Sequence, residues 1–285
     1  MEMISDYRQQ SELRAGFNAL AEETFGLNFE NWYRMGYWKE NYTPYSILED
    51  GKVVANVSVN RTDLLICGER KRIYQLGTVM TKQEYRNRGY IRQIMETIRE
   101  QISDADGIYL FANDEVLEFY PKFGFRKGKE FEYFRTVEQT GDCRMEQILM
   151  DREENRTCLE SAIASGSAVA DCAMVDNPGL IFFYAAQFLS ENVYYCKDLD
   201  VWAIAEQEDG NLLLHAVFGG NASLNTVVEA FGGAVQQVAL GFSPADKAGW
   251  ECRELREPDC TFFVKGPVFA LFEEKKLRIP SLSHA

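Results

Sequence analysis

Three arginines crowd into the stretch YRNRGYIRQIM, residues 85–95, of a chain whose net charge is −14. Gly89 supplies a turn, and Ile91, Ile94, Met95 and Ile98 recur at helical spacing, so a helix is expected to begin near Tyr90. A helix N-terminus is already partly positive and carries unpaired N–H donors. Arg86, Arg88 and Arg92 are unfavourable there unless an anion joins them. A solvated basic turn is the plain alternative. The sharper expectation is a phosphate cradle, because GTVMT before the stretch reads as a strand ending at Thr81, followed by a polar loop. The glycine lets the backbone approach the ligand, and successive N–H groups face its oxygens.

A second motif stands downstream: Asn113 at a strand end, then FYPKFGF at 119–125. The pair resembles the GNAT superfamily of acetyl-coenzyme A-dependent N-acetyltransferases. The family pattern Arg/Gln-x-x-Gly-x-Gly/Ala is matched by Arg86, Asn87, Arg88, Gly89, Tyr90 and Ile91, and the later pattern by Asn113, Phe119, Tyr120, Gly124 and Phe125. Ile91 departs from the usual Gly or Ala, as longer apolar residues do in the branch resembling enhanced-intracellular-survival acetyltransferases. The resemblance covers residues 1 to about 137 and implies that residues 86–91 hold the coenzyme's pyrophosphate. It implies backbone donors at Val79, Met80 and Thr81 for the pantetheine and thioester carbonyl. It also implies Asn113 on the coenzyme arm, and Tyr120 as the acid that protonates the leaving sulfur. Tyr120 as a packing residue and Asn113 as a helix cap are the competing readings.

The base is harder to find. The strand before the cradle offers Tyr74, Gln75 and Thr78, none a competent base at neutral pH, so a water chain or a distant carboxylate must serve. The enhanced-survival branch uses the terminal carboxylate. Here Ala285 or His284 is the corresponding candidate, against a frayed tail. His215 reads as a core histidine within a strand.

These residues need a scaffold. SELRAGFNALAEETFG and NFENWYRMGYW read as helices, YSILEDGKVVANVSVN and LLICGERKRIYQLGTVMT as hairpins, and the helix from Tyr90 to about Asp104 precedes the strand GIYLFAN. A short helix DEVLEFYPKF and a strand near FRKGKEFEYFRT complete the first half. VWAIAEQEDGNLLLHAV echoes the first hairpin, with Glu208-Asp209-Gly210 at its turn. SLNTVVEAFGG, VQQVALGF and a closing hairpin CRELREPDCTFFVKG follow. The expected fold is α/β, an α+β sandwich of two tandem GNAT-like domains, each a mixed sheet flanked by helices. Residues 1–137 are the expected catalytic domain and residues 145–285 a degenerate copy forming part of the acceptor cleft, joined by a linker at 138–150.

Composition narrows the function. Residues 1–140 carry 19 Lys and Arg against 22 Asp and Glu, and residues 141–285 carry 11 against 22. The acidic second half argues against nucleic acid and suits a cationic amine or mere solubility. No apolar run approaches ~20 residues, so no membrane span is expected. Seven scattered cysteines without a CxxC pair, only His215 and His284, and an N-terminus unlike a signal peptide predict a cytoplasmic protein without a metal site. The leading expectation is transfer of an acetyl group from acetyl-coenzyme A to a small-molecule or peptide amine. The alternatives are a non-catalytic coenzyme A sensor and an acyltransferase using a longer acyl chain.

Overall fold

The computed structural model describes residues 1–138 and 141–284. The chain opens with β1 (Glu2–Ser5), α1 (Ser11–Phe25), α2 (Glu30–Arg34) and the hairpin β2 (Tyr42–Glu49) and β3 (Lys52–Arg61). A short hairpin, β4 (Leu64–Ile66) and β5 (Glu69–Lys71), precedes β6 (Ile73–Thr81), α3 (Tyr90–Gln101) and β7 (Gly107–Ala112). Next come β8 (Arg126–Lys127), β9 (Phe131–Thr136), β10 (Glu146–Gln147), α4 (Glu153–Ser165), β11 (Cys172–Met174) and α5 (Pro178–Phe183). The remainder is β12 (Val193–Cys196), β13 (Val201–Glu208), β14 (Asn211–Phe218), α6 (Leu224–Glu229), β15 (Gln237–Leu240), β16 (Glu251–Glu254), β17 (Thr261–Lys265) and α7 (Ala270–Lys275).

Two seven-stranded mixed sheets result, ordered β1-β2-β3-β6-β7-β17-β8 and β10-β12-β13-β14-β15-β9-β16, while β11-β4-β5 form a small third sheet. The two orders match position by position. In each, the only parallel pair is the fourth strand with the fifth, β6 with β7 and β14 with β15. The fold is thus mixed α/β with helices against large sheets, as the sequence predicts. Helix α3 lays Ile94, Met95 and Ile98 on one face of the first sheet, and α1 contributes Phe17 and Leu20 to the cluster on the other. That second cluster also takes Phe182, Phe183, Trp202 and Leu282 from the later half, and Tyr37 stacks on Phe182 at 4.0 Å.

Several local expectations change. The strand FEYFRT, read as the last of the first half, is β9 and lies in the second sheet between β15 and β16. The expected closing hairpin is split: β16 joins the second sheet, while β17 lies between β7 and β8 in the first. Alternating apolar residues mark both segments as strands but do not choose a sheet. That choice is made by distant partners, Tyr133 joining the second core and Phe263 the first. The echo between hairpins is offset by one strand, since β13–β14 occupies the positions of β3–β6 rather than β2–β3. Asp50-Gly51 and Asp209-Gly210 share a tight-turn conformation, with positive φ at all four residues, and the echo followed that chemistry. The helix expected over 114–123 is two 3₁₀ turns, Asp114–Val116 and Tyr120–Phe123, with Pro121 in the second. The expected linker includes β10, and its residues 139 and 140 lie outside the described residues.

Candidate active site

Strands β6 and β7 pair only over Ile73–Gln75 and Gly107–Tyr109 and then part. Just past that point β6 carries a bulge: Asn56 faces Met80 but Ser58 faces Gly77, one residue extra on β6. Thr78 takes up the excess at φ 44°, a left-handed conformation costly for a β-branched residue. A buried polar chain holds it there. The Tyr42 and Thr78 hydroxyls are 2.6 Å apart, and Asn56 Nδ2 donates to the Thr78 carbonyl at 3.0 Å. Asn56 Oδ1 accepts from Ser46 at 2.8 Å, and Ser46 in turn meets the Tyr7 hydroxyl at 2.6 Å. Tyr42, Ser46 and Asn56 are each at most 1% exposed. Their spacing along the sequence gave no sign of this network, because it joins three strands and the N-terminal segment.

Beyond the bulge, Lys82 leads through a 3₁₀ turn to α3, with Asn87 at φ 62° and Gly89 at φ 79° shaping the entry. The backbone N–H groups of Asn87 to Arg92 donate to no acceptor among the described residues, the first helical bond being Gln93 N–H to the Gly89 carbonyl at 3.1 Å. Arg88 Nη2 donates to the Glu84 carbonyl at 3.0 Å and lies over the Tyr85 ring. Arg86 Nε donates to the Thr81 carbonyl at 3.4 Å. Neither forms an ion pair among the described residues, in a chain with 44 acidic side chains. Tyr90 turns inward and its hydroxyl donates to Glu49, whereas Ile91 packs partly buried on the α3 cluster.

The cavity next to α3 joins Arg92 to residues that sequence reasoning did not select. It measures about 150 Å³, has Leu76, Ile108, Met95 and Phe125 on its walls, and carries Arg92, Arg99, Lys122 and Lys265 around it against one acid, Glu96. Those four cations form no ion pair among the described residues. Lys265 arrives on β17, and its Nζ donates to the Phe123 carbonyl at 3.0 Å. No local signal links residue 265 to residue 92.

Tyr120 is 4% exposed, packed by Phe119, Phe125 and Phe263, and its hydroxyl has no hydrogen bond among the described residues. Burial pushes its pKa up to about 12. Asn113 does not cap the following turn: the Asp114 N–H is taken by Asp259 at 2.6 Å, and the exposed Asn113 side chain makes no hydrogen bond among the described residues.

The end of the chain is ordered through the described residues rather than frayed. Tyr109 donates to the Ser283 carbonyl and Tyr184 to the His284 carbonyl, both at 2.6 Å. The His284 ring stacks on Phe111 at 3.8 Å, and burial with Arg278 nearby holds its pKa down to about 3. His284 is therefore neutral near pH 7 and too weak a base to serve. Ala285 lies outside the described residues. Among the described residues no cluster of His, Cys, Asp and Glu can hold a metal ion.

The second sheet repeats the geometry with a different outcome. Its parallel pair ends at Leu214 and Leu240, and the following residue of β14, His215, is the bulge. His215 Nδ1 lies 2.9 Å from Ser281 Oγ and Nε2 lies 2.8 Å from Glu206 Oε1. Ser281 N–H donates to the Gly241 carbonyl, and a Cβ on Gly241 would stand 2.3 Å from Ser281 Oγ. The chain's own tail thus fills the second opening. His215, expected in the core, is the link that ties it.

The first sheet is thus a mixed α/β sheet whose central parallel strands part beside a bulge, with the N-terminus of α3 and two arginines that form no ion pair among the described residues at the gap. Residues 7–128 match the family model described as an acetyltransferase (GNAT) domain. Solved structures share the fold across both halves. A probable N-acyltransferase from Enterococcus faecalis V583 aligns with TM-score 0.59 and 15% identity, over 96% of this chain and 75% of that one. A GCN5-related N-acetyltransferase from Kribbella flavida gives 0.55 and 15%, over 93% and 72%. Eis1 from Mycobacterium abscessus gives 0.53 and 13%, over 89% and 71%. No curated protein matches in sequence.

Proposed function

We propose that this chain is an N-acetyltransferase that binds acetyl-coenzyme A in the opening between β6 and β7 and passes its acetyl group to a primary amine of a small molecule or peptide. The observation that carries this reading is the run of six unpaired N–H groups, Asn87 to Arg92, beside Arg86 and Arg88. Such a helix start favours a bound pyrophosphate. The four cations around the neighbouring cavity suit the remaining phosphate of the coenzyme, with the apolar walls facing its adenosine. The backbone of Val79, Met80 and Thr81, released from β7 beyond Gln75, offers donors to the pantetheine and the thioester carbonyl.

In the reaction, the amine first gives its extra proton to solvent water; its lone pair then attacks the thioester carbon, the C–N bond forms, and the C–S bond breaks. Tyr120 gives its proton to the departing sulfur and regains one from the proton the nitrogen sheds. A buried phenol with no hydrogen-bond partner among the described residues is suited to donate only when sulfur becomes basic. Residues 145–285 serve as a degenerate copy of the domain, and they form a wall of the acceptor cleft rather than a second coenzyme site. Their acidic surplus favours the approach of a protonated amine. The test is calorimetric titration of the full chain with acetyl-coenzyme A, followed by thiol release with polyamines, aminoglycosides, amino acids and peptides. Absence of coenzyme binding would sink the reading. Binding without amine-dependent thiol release would leave a sensor in its place.

A further inference from the structure

Five buried side-chain nitrogen and oxygen atoms lack a hydrogen-bond partner among the described residues, and three of them, Asn60 Nδ2, Thr62 Oγ1 and Gln75 Oε1, are neighbours. Asn60 faces Gln75 across β3 and β6, and Gln75 faces Tyr109 across β6 and β7. Thr62 follows two residues after Asn60, so it shares its sheet face, and its N–H donates to the Ile73 carbonyl. The three are at most 2% exposed, and Gln75 Oε1 has no hydrogen-bond partner among the described residues. This row sits on the face opposite α3, where Asn177 donates to Asn60 Oδ1 at 3.0 Å and the Ser283 carbonyl receives Tyr109. It occupies the last paired rung before β6 and β7 part.

Buried polar groups are normally satisfied; the Thr62 hydroxyl meets the Tyr109 phenol but keeps lone pairs with which to accept, so all three atoms of the row are open to a common partner. We infer that Gln75 Oε1, Thr62 Oγ1 and Asn60 form the socket for the acceptor's amino nitrogen in the proposed reaction. Gln75 Oε1 and Thr62 Oγ1 accept the two N–H bonds of a neutral primary amine, which leaves the nitrogen lone pair free to attack. Asn60 Nδ2 donates to a substituent oxygen beside that nitrogen. The charged and titratable groups packed around the row do not add a free carboxylate. Asp63 is engaged by Arg61 at 2.6 Å and Arg70 at 2.8 Å, the buried Glu130 carboxyl accepts the Ile279 N–H at 2.7 Å, Tyr109 and Tyr184 hold the tail's carbonyls, and His284 is stacked on Phe111. The socket therefore selects an amine, not an ammonium ion. The inference rests on the proposed transfer to an amine, and its test is separate from coenzyme binding.

The test compares wild type with Gln75→Met and the near-isosteric Thr62→Val, each as the full chain saturated with coenzyme A, whose own affinity is measured first by calorimetry. A socket for substrate is held open at a cost in stability, so both variants should melt higher than wild type by about 2–4 °C. Methylamine in alkaline buffer should raise the wild-type Tm above an equal concentration of sodium chloride and leave both variants unmoved. Lower Tm in both variants, or equal methylamine shifts in all three proteins, would assign the row to structure or to an ordered water only. No methylamine shift in wild type overturns the socket even where coenzyme A binds normally.

Discussion

The two parallel strand pairs follow one plan and end differently. Past Gln75 the first sheet opens onto a bulge held by the Tyr42–Thr78 contact, with unpaired N–H groups and arginines beyond it. Past Leu214 the second opens onto a bulge at His215, and there the chain inserts its own Ser281, while Arg278 Nη1 donates to the Leu240 carbonyl at 3.0 Å. The second helix start also differs: Ser223 caps α6, its Oγ accepting the Thr226 N–H, whereas Gly89 leaves α3 uncapped. A capped, filled opening satisfies itself. The uncapped start of α3 leaves N–H groups with no acceptor among the described residues, which a bound anion would satisfy.

The most forceful way to break this contrast is to reverse the charge at the uncapped end. Arg88→Glu should weaken coenzyme A by about 100-fold or more, since repulsion replaces a charge-assisted contact. Calorimetry on the folded variant reads this directly, and unchanged affinity would return the arginines to a solvated turn.

Glu130 tests the seam that brings the tail to the second opening. Its Oε1 accepts the Ile279 N–H at 2.7 Å, and burial lifts its pKa from the ordinary 4.5 to about 7 despite Arg278. The folded state therefore holds a proton that the unfolded chain has lost between pH 4.5 and 7. This group's contribution to stability is full below about 4.5 and falls as pH rises to about 7, by up to about 3 kcal/mol. Glu130→Gln should flatten that slope in urea melts taken across the same window. An unaltered slope would remove Glu130 as its source.

Tyr120→Phe should lower kcat about tenfold or more while leaving KM for acetyl-coenzyme A nearly unchanged, because the hydroxyl matters only as sulfur departs. Wild-type turnover would make Tyr120 a packing residue. The smallest effect belongs to the filled opening: Ser281→Ala should cost about 1 kcal/mol of stability and leave coenzyme affinity alone. A coenzyme affinity that falls with it would show that the openings are not independent.

What was legible in the sequence was local. Gly89 with its arginines, Asn113, and the Phe119–Phe125 stretch each announce themselves within a few residues, and so do the Asp-Gly turns. The Tyr42–Asn56–Thr78 network, the Asn60–Gln75–Tyr109 row, Lys265 beside Arg92, and the crossing of β9 and β17 all depend on strands brought together from far along the chain. Alternation of apolar residues marks a strand but does not name its neighbour. The tail looked frayed because SLSHA is short and polar. Its anchors, Tyr109, Tyr184, His215 and Glu130, are all distant residues.

Amide hydrogen exchange with and without coenzyme A tests the contrast most directly, because the claim concerns backbone N–H groups. Protection should appear across Asn87–Arg92 and in the freed part of β6, Val79–Thr81, while Gly219–Val227 exchanges as before. Protection at the second helix start, or none at the first, would contradict the assignment of one coenzyme site to the open sheet.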